Sequence, residues 1–240
     1  MMEIYRSQKC SAFTYSKTGQ NHVLANQDNQ DCILFNSFPE DAWVLIVADG
    51  VSSATFAKEG AQIAVKTVMT KCKDIIDLGE NPLDIDTLRV SIVREWKANI
   101  QGNWDEFATT LNFAVYSNHK LILGQIGDGL IMSCIDGTPI ILTGEDDFYS
   151  TDTYALGTAV KKNTFTINEY EVKNTIRLYA VSDGIGKEIA DEYRSDLGHY
   201  LAQMMVQDDL SIEEELDAWV VSLEKKNGDD KSIGFVLWEE

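Results

Sequence analysis

Proline is almost missing from this chain, three residues in 240, and that scarcity excludes a Pro-rich linker or stalk. No repeat or low-complexity tract divides the sequence either, so one domain over residues 1–240 is the expected organisation. Cysteine is sparse. Cys10, Cys32, Cys72 and Cys134 form no CxxC pair, and no histidine stands at zinc spacing from them. A zinc ribbon or a disulfide framework is therefore not expected, and four scattered thiols fit a reducing cytoplasm. Long apolar runs are lacking as well: the longest ends at Ala48, and the start Met1-Met2-Glu3-Ile4-Tyr5-Arg6 offers no signal-peptide core. Neither export nor membrane insertion is expected. Positive charge is short, with 20 Lys and Arg against 39 Asp and Glu and a formal net charge of −19. Such a surface repels nucleic acid, and it admits a phosphorylated ligand only where metal ions reverse the field locally. ATP-dependent phosphoryl transfer lacks its signatures too, since no GxxxxGK[ST] loop and no His-Arg-Asp or Asp-Phe-Gly triplet occurs.

What the chain does have is aspartate followed by glycine at the ends of apolar runs. Ala42-Trp43-Val44-Leu45-Ile46-Val47-Ala48 precedes Asp49-Gly50, Leu121-Ile122-Leu123 leads toward Asp128-Gly129, and Ile176 to Val181 leads toward Asp183-Gly184. A buried strand fixes the carboxylate at its end, and the glycine lets the backbone turn sharply and bring its carbonyl near an ion. Hard oxygens converging from distant segments are what Mg²⁺ or Mn²⁺ requires. Asp136-Gly137, between Ile131–Ile135 and Ile140–Leu142, reads instead as a hairpin turn. Two further acidic clusters accompany the series, Asn26-Gln27-Asp28-Asn29-Gln30-Asp31 and Gly228-Asp229-Asp230-Lys231-Ser232.

Between these motifs the pattern alternates. Ala57, Ala61, Ala64, Val65, Val68 and Cys72 fall at helical spacing, as do Leu88, Ile92, Trp96 and Ile100. Asp84-Ile85-Asp86-Thr87 reads as a helix start with capping side chains. Residues 109 to 142 read as a strand meander. Helical spacing returns through Ile189, Tyr193, Leu197, Leu201 and Met204, then through Ile212, Leu216, Trp219, Val220 and Leu223, before a last strand from Ser232 to Trp238. The acidic segment 144–152 reads as a flap. Periodicity alone leaves several mixed folds open.

The ordered series Gln27-Asp28, Val47-Ala48-Asp49-Gly50, Gly127-Asp128-Gly129, Val181-Ser182-Asp183-Gly184 and Asp229-Asp230-Lys231-Ser232 resembles the metal-dependent Ser/Thr protein phosphatases of type 2C, the PPM family. The resemblance spans nearly the whole chain. It is nearest to the compact bacterial branch, in which Gly-x-x-His precedes Gln-Asp, matched here by Gly19-Gln20-Asn21-His22. It implies an α+β fold, a four-layer α-β-β-α sandwich. It also implies that Asp49 bridges two ions, Mn²⁺ or Mg²⁺, that the Gly50 carbonyl adds a ligand, and that Asp183 and Asp229 complete the site. Asp28 then acts through metal-held water, and Asp128 with Asp183 holds a weaker third ion near the entrance. For Asp28 an Asx turn, and for Asp128 a tight turn, stand as the plain alternatives. Asp230, where many relatives carry Asn, is expected to hydrogen-bond locally.

Two departures from the eukaryotic pattern bear on chemistry. Val23 stands where those enzymes carry a phosphate-binding Arg, five residues before Asp28, and Val51 stands where they carry a general-acid His. His22, in a polar loop beside the first acidic motif, is the candidate for either task, failing which the acid is a metal-held water. His119 reads as a hairpin tip and His199 as a structural helix residue. The expected activity is hydrolysis of phosphoserine and phosphothreonine in proteins, with a Ser/Thr kinase as a partner and neither nucleic acid nor membrane involved. The rival reading is a weak or inactive module of the same fold that binds a signalling partner, and a third is hydrolysis of a small phosphorylated metabolite.

Overall fold

The structure is a computed structural model that describes residues 1–79, 84–143, 154–157, 164–224 and 227–240, so the flap expected at 144–152 lies outside the described residues. The chain opens with β1 (Met2–Arg6), β2 (Cys10–Lys17), a short helix α1 (Gln20–Leu24), β3 (Asp31–Ser37) and β4 (Trp43–Asp49). Two long helices follow, α2 (Ala57–Leu78) and α3 (Ile85–Ala98), then β5 (Leu111–Ser117), β6 (Lys120–Ile126), β7 (Leu130–Ile135) and β8 (Thr138–Thr143). Next come β9 (Thr166–Glu171), β10 (Thr175–Val181), the single turn α4 (Asp183–Gly186), α5 (Arg194–Met204), α6 (Asp209–Glu224) and β11 (Lys231–Glu239).

All strand pairs are antiparallel. They form a six-stranded sheet in the order β1-β2-β11-β10-β7-β8 and a five-stranded sheet in the order β3-β4-β5-β6-β9. The residues of β4 show why the two sheets stack. Trp43, Leu45 and Val47 enter the core between the sheets with Ala12, Ile131, Leu178, Val236 and Trp238. Val44, Ile46 and Ala48 point the other way, against Ala61, Val65 and Val68 of α2 and Ile92 and Trp96 of α3. A strand covered on both faces needs an unbroken apolar run, which is what Ala42 to Ala48 supplies. On the far side, Phe13, Tyr179 and Phe235 pack against Leu201 and Met204 of α5 and Ile212, Leu216 and Val220 of α6. The result is the α-β-β-α sandwich.

Asp84 caps α3 as the sequence suggests, accepting from the Asp86 amide at 3.1 Å. Other expectations shift. The meander over 109–142 is split: β5 and β6 belong to one sheet, β7 and β8 to the other, and Gly127-Asp128-Gly129 carries the chain across. The helix expected from Ile189 begins at Arg194, after a 3₁₀ turn at Asp191–Tyr193. His119 does lie at the β5–β6 hairpin tip, with φ 59°. At the β3–β4 turn, Glu40 and Asp41 both take φ 59°, while the Phe38 amide donates to the Ala42 carbonyl at 2.8 Å. No helix among the described residues is long and apolar enough to cross a membrane.

Candidate metal centre

Four strand ends meet at one edge of the sandwich. In the five-stranded sheet β3 begins at Asp31 and β4 ends at Asp49, and these two residues are directly paired. In the other sheet β10 ends at Val181, one residue before Ser182-Asp183, and β11 begins at Lys231, just after Asp229-Asp230. Ser182 and Ser232 hold those two ends together. The Ser182 amide donates to the Ser232 carbonyl at 3.0 Å, and the Ser232 amide donates to the Ser182 hydroxyl at 3.0 Å. Neither Gly50 nor Gly184 has the left-handed φ expected of a sharp turn. Their lack of a side chain serves close approach instead: a Cβ on Gly50 would lie 2.5 Å from the Ala57 carbonyl carbon, and one on Gly184 would lie 2.0 Å from the Asp230 carbonyl oxygen.

The aspartates at these ends act on one another. Burial raises Asp49 well above the usual carboxylate range, and the charges of Asp31, Asp183 and Asp229 push it further. Burial also lifts Asp31 to about 7; the Asp230 charge adds to this, while nearby Ser232, Ser182 and Asp49 ease it. Asp229 is raised by burial and by Asp183. Even so, neither carboxylate oxygen of Asp31 makes a hydrogen bond of acceptable geometry, nor does Oδ1 of Asp183, although all three are inaccessible to water. Unpaired buried carboxylates are costly, and a proton or a cation relieves them. Hard, orphaned oxygens of this kind suit Mg²⁺ or Mn²⁺, which retain several waters and do not require an all-protein cage. No three His, Cys, Asp or Glu side chains among the described residues already stand in ligand geometry. The cluster is thus an open set of charges, compatible with ions that complete their shells with water.

Asp230 behaves differently from its neighbour. Rather than bonding locally, it accepts from the Gly19 amide at 2.7 Å, the Gln30 amide at 2.6 Å and His22 Nδ1 at 2.8 Å, and so fastens α1 and the entry to β3 onto the entry to β11. Lys231 is fully buried, and its Nζ donates to the carbonyls of Asn227 at 2.7 Å and Asp229 at 2.8 Å. Between them these two side chains fix the backbone that carries Asp229. His22 lies in α1 rather than in a loop, and its buried ring is tied to a buried carboxylate.

Asp28 does not join the cluster. Its side chain is 80% exposed and pairs with Lys58 at 2.7 Å, which holds its carboxyl below the usual value. The physical reason is local: Asp28 lies in an exposed stretch between α1 and β3, outside either element, and the next Gln-Asp pair, Gln30-Asp31, opens the strand instead. Asp128 is brought near Asp183, but the Lys187 ammonium lies between them, 2.8 Å from Asp128 Oδ2 and 2.5 Å from Asp183 Oδ2.

A family profile described as Protein phosphatase 2C matches residues 18–221. The chain belongs to the protein phosphatase 2C family. No curated protein sequence matches it. Among solved structures this family member is similar to RsbX in complex with magnesium, with a TM-score of 0.67, 12% identity and complete coverage of both chains. It is also similar to the serine/threonine phosphatase PstP/Ppp of Mycobacterium tuberculosis, with a TM-score of 0.68, 17% identity and coverage of 97% of this chain and 100% of that one. The catalytic domain of PstP in complex with 2 manganese ions gives a TM-score of 0.61 at 16% identity over 96% and 99% of the two chains. At such identities the likeness concerns the fold.

Three residues of this acidic cluster and its surroundings, Asp31, Lys187 and Asp230, escaped sequence reasoning in the places they take. Asp31 had a usable signal, because Gln30-Asp31 directly enters the apolar run Cys32-Ile33-Leu34-Phe35, the strand-end logic already applied to Asp49. Lys187 stands four residues after Asp183, one helical turn away. The long-range bonds of Asp230 left no trace in the sequence.

Proposed function

We propose that this chain is a cytoplasmic bacterial protein phosphatase that hydrolyses phosphoserine and phosphothreonine with two divalent ions, Mn²⁺ or Mg²⁺. The observation that carries the reading is the meeting of Asp31, Asp49, Asp183 and Asp229 at the ends of both sheets, with three of their buried oxygens unpartnered. Asp49, Asp183 and Asp229, with the Gly50 carbonyl beside Asp49, would hold the ions, and Asp31 takes the part expected of Asp28. Bound there, the ions supply an acidified water for direct in-line attack and positive charge for the phosphoryl oxygens. The chain's own residues set the geometry. Asp230 and Lys231 hold Asp229, the Ser182–Ser232 pairing holds Asp183, and the β3–β4 pairing sets Asp31 opposite Asp49. His22 acts through Asp230, as a fastener of the Asp229 loop rather than as a proton donor. Counted from Asp31, the position five residues earlier is Asn26, so an arginine anchor is missing on this count as well.

Magnesium bound to RsbX and manganese bound to PstP support the choice of ions, and PstP's activity supports the substrate class. A stressosome structure among the similar folds supports a signalling role, and a Ser/Thr kinase is the partner this reading implies. Four free cysteines fit the cytoplasm. The test compares turnover of a phosphothreonine peptide, a small phosphorylated metabolite and an aryl phosphate. All activity is expected to vanish with chelator and to return with Mn²⁺, with the peptide preferred. Activity in metal-free protein would sink the mechanism. Mn²⁺ binding without turnover of any of them would favour the partner-binding module.

A further inference from the structure

Asp128 and Asp183 reach one point from different parts of the fold. Asp128 lies on the crossover between β6 and β7, while Asp183 opens α4, and Lys187 follows directly after that turn. Their carboxylates are only 19% and 13% exposed, and each presents one Oδ2 to the same Lys187 Nζ, at 2.8 Å and 2.5 Å. The lysine thus bridges the two carboxylates as one shared ion pair. Asp183 is thereby divided: Oδ2 serves Lys187, and the inaccessible Oδ1 is left without a hydrogen-bond partner. A divalent ion bound by the same pair of oxygens would stand within a few ångströms of the Lys187 ammonium, and repulsion at that range opposes holding both. The residues here do not fit a third metal ion.

We propose that the Lys187 ammonium is a tethered cation in the position expected of the third ion, so that this chain works with two exchangeable ions and one built-in charge. The inference rests on the reading that the inner aspartates hold two ions. A covalently attached charge cannot be lost by dilution or chelation, so neutralisation of Asp128 and Oδ2 of Asp183 is independent of metal concentration.

The test is ion counting by equilibrium dialysis at millimolar Mn²⁺, with calorimetric titration of the metal-free protein, for the wild type, Lys187→Ala and Lys187→Gln. Circular dichroism checks that each is folded, and the glutamine variant serves if the alanine variant is not. Two ions are expected in the wild type and one additional weak ion in the variants. A third ion in the wild type, or no gain in either folded variant, overturns the inference while leaving the two-ion reading intact. No ion at all in the wild type removes the two-ion reading and the inference with it.

Discussion

The rim and the interior of the same acidic edge treat aspartate in opposite ways. On the rim each carboxylate has an ammonium of the chain's own: Asp28 has Lys58, and Asp128 has Lys187. In the interior Asp31 and Asp49 sit opposite each other with no salt-bridge partner among the described residues, and both are raised by burial. An exposed pair such as Asp28–Lys58 contributes little to stability. Buried and unpaired carboxylates are instead a standing cost, kept only where something outside the chain relieves it. The contrast assigns solvation to the rim and ion capture to the interior.

The largest break in that contrast is Asp49→Asn. It removes the residue on which the other three charges converge, so metal binding should be lost and turnover should fall by more than the roughly 10²–10³-fold typical of deleting one charge-stabilising group. The metal-free variant should melt no lower than wild type, because one repelling charge has gone. Calorimetric Mn²⁺ titration and thermal melting check both halves, and undiminished binding of two ions would show the cluster to be misassigned.

A sharper comparison sets two Gln-Asp pairs against each other. Asp31→Asn should weaken metal affinity or activity by about 10–100-fold, the range seen when groups supporting a metal site are changed. Asp28→Asn on the rim should leave both stability and turnover close to wild type. Kinetics of the two variants at matched Mn²⁺ would decide, and a larger loss at Asp28 would restore the first motif to Gln27-Asp28.

The smallest effect is on pH dependence in metal-free protein. Asp31 titrates at 3.8 in an ordinary setting and at about 7 when folded, and Asp49 is raised in the same direction. The folded protein therefore binds more protons than the unfolded chain between those values. The stability this contributes is full below about pH 4 and is lost as pH rises through about 7. Melting of metal-free protein should decline across that window more steeply than that of Asp31→Asn, and Mn²⁺ should raise the midpoint more at its upper end. Parallel curves for the two proteins would contradict the assignment.

Much of the fold was legible because burial writes period and length into sequence. The run Ala42 to Ala48 announced a strand covered on both faces, and the spacing of Ala61, Val65 and Val68 announced α2. β1 and β2 were not read. Glu3 and Arg6 of the five-residue β1 are charged and exposed, and β2, Cys10-Ser11-Ala12-Phe13-Thr14-Tyr15-Ser16-Lys17, mixes hydroxyls with aromatics, so neither presents an apolar run. Of the candidate site, Asp49, Asp183 and Asp229 stand near enough at the strand ends to act on one another. Gln27-Asp28 and Gln30-Asp31 are indistinguishable as dipeptides, and only the second opens a strand. The roles of Asp230 and Lys231 depend on carbonyls and amides brought close only by folding, which no local pattern encodes.

The pairing of Asp31 with Asp49 also ties the chemistry to the opposite end of the hairpin. From that pair the ladder runs to Ser37 opposite Trp43, about 20 Å away at the usual strand rise. It closes there on two acidic residues in left-handed backbone, which give a tight turn the twist that suits its strands. Surface turns usually absorb insertions freely. In this one a single added or deleted residue would slip the ladder by one and rotate Asp31 to the helix-facing side of the sheet. The length of the Phe38–Ala42 loop therefore governs where Asp31 stands, although the loop never touches it.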